Sequence, residues 1–105
     1  MRYDIYGKAI KAVRNHRKCS QEQLMARTGM ARSQIYYIES GERLPRIETL
    51  EAICQALDIS LSTFFLIVEQ IGKQRAEKDA EVRRDENPDD VANLAVLAFS
   101  ERNLF

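Results

Sequence analysis

Residues 20–45 read SQEQLMARTGMARSQIYYIESGERLP, and this stretch decides the fold. Ser20 stands ahead of a helical run with Gln23 three residues on. That is the form of a capping box, in which each side chain bonds to the other residue's backbone N–H. Leu24 is the inward residue of the short helix that follows, and Gly29 stops it. A residue just past a helix C-terminus often takes positive φ, which only glycine does without steric cost. The next helix, over about Arg32–Ser40, buries Ile35 and Ile38 and ends at Gly41. Leu44-Pro45 is extended, since a residue before proline avoids the helical region. Two short helices locked by an aliphatic seam behind a glycine corner leave Arg32, Ser33 and Gln34 facing outward. Tyr36 and Tyr37 follow a turn later, within a recognition segment of about Ala31–Glu39. All five are side chains able to hydrogen-bond base edges and phosphates.

Outward from this unit the helical period continues. Tyr6, Ile10, Val13 and Arg17 give a first helix over about Asp4–Lys18. Ile47, Leu50, Ile53, Cys54 and Leu57 give a fourth over about Ile47–Leu57, and Ser60 caps a fifth containing Leu61, Phe64, Phe65 and Val68. No segment alternates as a half-buried strand does. The expected fold is therefore all-α: a compact five-helix bundle with a helix-turn-helix over residues 1–70, then a helical C-terminal extension over 71–105. In the extension, Gly72–Glu86 is almost wholly charged or small. It reads either as a continuation of the fifth helix or as a mobile linker. Asn87-Pro88-Asp89 starts a last helix, because proline is tolerated in the first turn and acids favour the N-terminus. That helix is expected to place Val91, Leu94, Ala95 and Ala98 on one face, with Leu97 and Phe99 beside it.

At 105 residues, 45% hydrophobic and 30% charged, the chain has the composition of an ordinary globular domain with an appendage. Its formal net charge is zero, but the charge is segregated. Residues 1–48 hold ten Lys/Arg against five acids, and residues 49–105 hold six against eleven. A basic first half can supply phosphate contacts, whereas the acidic second half must face away from DNA. The apolar run Phe64–Val68 is far too short to cross a bilayer, and no signal peptide follows Met1, so a cytoplasmic protein with no membrane partner is expected. Cys19 and Cys54 lack metal-site spacing and read as two small buried hydrophobes. One histidine, His16, beside Arg17 and Lys18, reads as a solvated side chain. With no Ser/His/Asp or Cys/His set, no glycine-rich phosphate loop and no metal cluster, no catalytic residue, metal or cofactor is expected.

On these residues the sequence resembles the Cro/phage-repressor (XRE-like) helix-turn-helix DNA-binding family, over about residues 6–66. The match runs through Ser20-Gln21-Glu22-Gln23-Leu24, Gly29, Arg32-Ser33-Gln34-Ile35, Ile38-Glu39-Ser40-Gly41 and Pro45. It continues through Ile47-Glu48-Thr49-Leu50 and Ala56-Leu57-Asp58-Ile59-Ser60. Met25 departs from it, standing where the family usually has a small Ala, and its length predicts a slightly wider contact between the two helices. The resemblance implies a lambda-repressor-like fold. It puts Arg32, Ser33 and Tyr37 at base-reading positions and Gln34 and Tyr36 on base or backbone. Gln21 falls on a phosphate while bracing Arg32, and Arg43 on a phosphate. Arg14 and Glu39 match a structural pair tying the first helix to the third. The expected function is a sequence-specific regulator of transcription. It would be a homodimeric repressor on a palindromic operator of double-stranded DNA, because one small reading head makes few base contacts. Its dimer surface is expected from Phe65, Leu66, Val91, Leu94 and Phe105. The alternative is an antitoxin-like or partner-controlled regulator whose C-terminal segment binds another protein.

Overall fold

The computed structural model describes residues 3–80 and 88–101, with side chains described over 4–75 and 92–98. Six helices follow one another: α1 Tyr3–His16, α2 Gln21–Thr28, α3 Arg32–Glu39, α4 Ile47–Ala56, α5 Leu61–Ala80 and α6 Pro88–Glu101. No strand occurs among the described residues. The fold is all-α: the five expected helices, with α6 as the helical extension. The fifth helix runs on to Ala80, so the continuation reading of residues 72–80 holds. Residues 81–87 lie outside the described residues.

Two helices end at left-handed residues other than glycine. α1 stops at His16 rather than Lys18, because Lys18 is left-handed (φ 55°) and the Cys19 N–H reaches back to the Arg14 carbonyl at 2.9 Å. α4 ends the same way: Asp58 has φ 56° and the Ile59 N–H bonds to the Cys54 carbonyl at 3.0 Å. Both are Schellman-type ends built without glycine. Each brings an apolar residue, Cys19 or Ile59, back onto the core.

One core runs through all six helices. Ile10 and Val13 of α1, Leu24 of α2, Ile35 of α3, Ile53 of α4 and Phe64, Ile67 and Ile71 of α5 are essentially sealed from solvent. Burying each such side chain is worth about 1.5–3 kcal/mol. α1 is the hub, packing on α3, α5 and α6, while α2 bridges α3 and α4. Its approach to α3 is unusually close at Gly7. A Cβ there would lie 2.3 Å from the Ile38 carbonyl oxygen and 2.6 Å from that of Glu39. Met25 packs against the core from its edge, half-buried beside the sealed Leu24.

The α6 register differs from the expected one. Its buried residues are Ala92, Ala95 and Val96, within the same core cluster as α1 and α5. Leu94 and Leu97 point to solvent, 54% and 50% exposed, and Ala98 is half-buried. Hydropathy favours leucine inside, but the two alanines let α6 lie close on α1, and close approach won. The Val91 and Phe99 side chains and all of Phe105 lie outside the described residues. Phe65, expected on a free surface, is half-buried, with its ring edge-on to Tyr6 (centroids 6.5 Å apart) and Phe64 (5.8 Å).

Candidate nucleic-acid interface

The α2–α3 unit is fixed at both ends of α2 by short-range chemistry. Ser20 Oγ accepts from the Gln23 N–H at 3.1 Å, and Gln23 Oε1 accepts from the Ser20 N–H at 2.9 Å, which completes the expected capping box. At the other end Gly29 takes φ 76° and donates its N–H to the Met25 carbonyl at 2.8 Å. Thr28 stitches the corner: its hydroxyl donates to the Leu24 carbonyl and accepts from the Met30 N–H. α3 closes with Gly41 at φ 85° and the Glu42 N–H on the Tyr37 carbonyl.

Behind the corner lies a buried ionic network. Arg14 donates Nε to Glu39 Oε2 at 2.8 Å and Nη2 to Glu39 Oε1 at 3.1 Å, and its Nη1 reaches the Cys19 carbonyl at 3.0 Å. Both side chains are buried, at 8% and 7% exposure, so the pair joins α1 to α3 out of water. Gln21 Nε2 also donates to Glu39 Oε1, at 3.2 Å. The Gln21 amide is thus part of this network and does not brace Arg32. That amide carries a second hydrogen to donate.

The outward side of α3 is open. Arg32, Ser33, Gln34, Tyr36 and Tyr37 are all exposed, while Ile35 and Ile38 between them are buried. Arg32 Nη2 lies 2.7 Å from Glu22 Oε2, a contact across the corner that the sequence reading did not find. Glu22's own backbone hydrogen bond, and secondly the Arg32 charge, hold its carboxyl below the usual carboxylate range. Gln34 Oε1 accepts from the Ala31 N–H at 2.9 Å, which fixes the side chain and leaves its two amide hydrogens and one oxygen lone pair to offer. Tyr36 and Tyr37 meet edge to face at 5.6 Å, and the Arg43 guanidinium sits 5.6 Å from the Tyr37 ring centroid. Arg43 is therefore joined to a base-reading candidate. With Arg46 and Gln34 it lines a depression of about 200 Å³ between α3 and the Leu44-Pro45 connector.

Two further arginines of the basic first half bond to backbone carbonyls and keep their charge. Arg17 donates Nη2 to the Asp58 carbonyl at 2.9 Å, and Arg27 donates Nη1 to the Ala56 carbonyl at 3.1 Å. Together they clamp the C-terminal end of α4. With the buried Arg14, three of the ten basic residues bond to other parts of the chain and so help hold the fold together. Glu22 and Gly7 are the two site-shaping residues missed from sequence. Spacing alone does not reveal a pair across a corner, and a glycine inside a helical run looks like any weak helix former.

The sequence model of the helix-turn-helix family matches residues 10–64, from within α1 to the first turn of α5. The immunity repressor protein of Bacillus phage phi105 is 35% identical over 100 residues, covering 90% of this chain and 69% of the phage protein. No solved structure matches the chain.

Proposed function

The chain belongs to the helix-turn-helix family, in its Cro and phage-repressor branch, and from that premise we propose that it is a cytoplasmic transcriptional repressor that reads double-stranded DNA with α3 in the major groove. The observation that carries this reading is the open row of polar side chains on α3, standing over a helix pair fixed by buried contacts. In this reading Arg32 gives guanine a two-point contact on O6 and N7, worth about 1–3 kcal/mol of discrimination. Ser33 and Tyr37 read the neighbouring bases, and Gln34 and Tyr36 serve base or backbone. Gln21 and Arg43 hold phosphates, α2 lying across the backbone in the docking geometry of this motif.

The repressor acts as a homodimer on a palindromic operator, with half-sites about one helical turn apart. The exposed Leu66, Leu94 and Leu97 support a contact between copies through the C-terminal helices. The same leucines are what favours the second reading, a regulator whose C-terminal segment binds a different protein. Sedimentation separates the two: a strict monomer, with and without DNA, removes the homodimer.

Selection from duplexes with a randomised core tests the head. Arg32→Ala relaxes preference at one or two base pairs. Arg43→Ala weakens binding to every sequence and flattens its dependence on salt. If both variants lose affinity with preference unchanged, the division between base and phosphate contacts is wrong. Footprinting on the DNA just upstream of the coding region locates an operator if the protein controls its own synthesis.

A further inference from the structure

The ion pair at the helix corner joins the second residue of α2 to the first residue of α3. The Glu22 and Arg32 side chains are 62% and 59% exposed, and a pair so open adds little to folding. Its consequence lies in where it holds the guanidinium. Arginine has five N–H donors in a planar fork, and the pair engages it through Nη2 at 2.7 Å. A two-point contact with guanine needs two donors, so Arg32 can read a base while still held by Glu22. A long, untethered arginine at this corner would sweep a wide arc and reach phosphates on any sequence. Tethered to α2, it reaches a narrower set of positions. The carboxylate also adds a negative charge where the duplex brings its own.

We infer that Glu22 is a specificity-determining positioning residue: it restrains Arg32 for base reading and disfavours binding to arbitrary DNA. The inference rests on Arg32 being a base contact, as proposed above. The Glu22 backbone hydrogen bond and the Arg32 charge both favour the ionised carboxyl, the form that holds Arg32.

The test is a double-mutant cycle on the full chain with Glu22→Gln and Arg32→Ala, singly and together. The probes are an unselected pool of duplexes with a randomised core and the duplex that the wild-type chain enriches from it. Glu22→Gln is expected to melt with the wild type, since both side chains are solvated. It binds the unselected pool more tightly, with a steeper salt dependence. Its preference at the base pair read by Arg32 falls ~2- to 5-fold, the span expected of an exposed ion pair. In the Arg32→Ala background the same substitution leaves that preference unchanged. Wild-type preference in Glu22→Gln, or an equal loss with and without Arg32, overturns the inference while leaving the proposed function standing. Arg32→Ala with full preference overturns both the inference and the base-reading role of Arg32. A wild-type chain that enriches no sequence overturns the proposed function itself.

Discussion

Arg14 gives its guanidinium to two partners, the Glu39 carboxylate and the Cys19 carbonyl, and is nearly closed to water. Desolvating two charges is costly, so such a pair adds little net stability when intact and much instability when halved. Glu39→Ala removes the acceptor for Arg14 and for Gln21 together, leaving a buried cation unpaired. We expect it to lose about 3–5 kcal/mol in urea unfolding. Glu39→Gln keeps one acceptor oxygen and should lose less. If Glu39→Ala unfolds with the wild type, the network contributes nothing to the position of α3. The pairing of residues 14 and 39 was legible from the family pattern. The recruitment of Gln21 was not, because one amide within reach of two acids (Glu22 beside it, Glu39 across the fold) has no sequence signature.

At the scale of the element, α3 is placed from two sides. The glycine corner sets its start, and α1 sets its far end through the contact at Gly7. A methyl group at Gly7 would meet backbone oxygens at 2.3 and 2.6 Å, and backbone cannot rotate away as a side chain can. Gly7→Ala should therefore push α1 off the end of α3 and cost about 1–3 kcal/mol, the usual range for overpacking. It should lower DNA affinity beyond that loss, because α3 loses its end stop; thermal melting and duplex titration on one preparation separate the effects. A variant more stable than wild type, as helix propensity alone would give, sinks the claim. The helix starts were readable because Ser20 and Ser60 carry the cap in their own side chains. The ends at Lys18 and Asp58 were not, since lysine and aspartate take positive φ far less readily than glycine and neither marks a helix end by itself.

In the whole molecule, contacts far apart in sequence connect the C-terminal helices to the reading head. Arg75 of α5 pairs with Asp4 of α1 at 2.7 Å, and Asp4 in turn packs against Gly41 at the end of α3. Ala92, Ala95 and Val96 of α6 share the same buried cluster. Cys19 and Cys54 report on its integrity. Both are 3% exposed, and burial pushes the Cys54 thiol up to about 11. The thiolate is the reactive form, so at pH 8 Cys54 is a closed and protonated hydrophobe. Ellman's reagent should label neither cysteine in native buffer and both along the urea unfolding curve. Rapid native labelling would mean that the core opens locally.

The amino-acid order alone determined what is local: an all-helical chain, a capped helix pair around Gly29, and an outward row from Arg32 to Tyr37. These follow from 3.6-residue periodicity and from caps that act within a few residues of themselves. Tertiary packing decided which face of α6 is buried, that Gly7 must stay bare, that Glu22 rather than Gln21 holds Arg32, and that Arg17 and Arg27 clamp α4. Each of those depends on the distance between two backbones brought together from separate parts of the chain, and no window of sequence contains that distance.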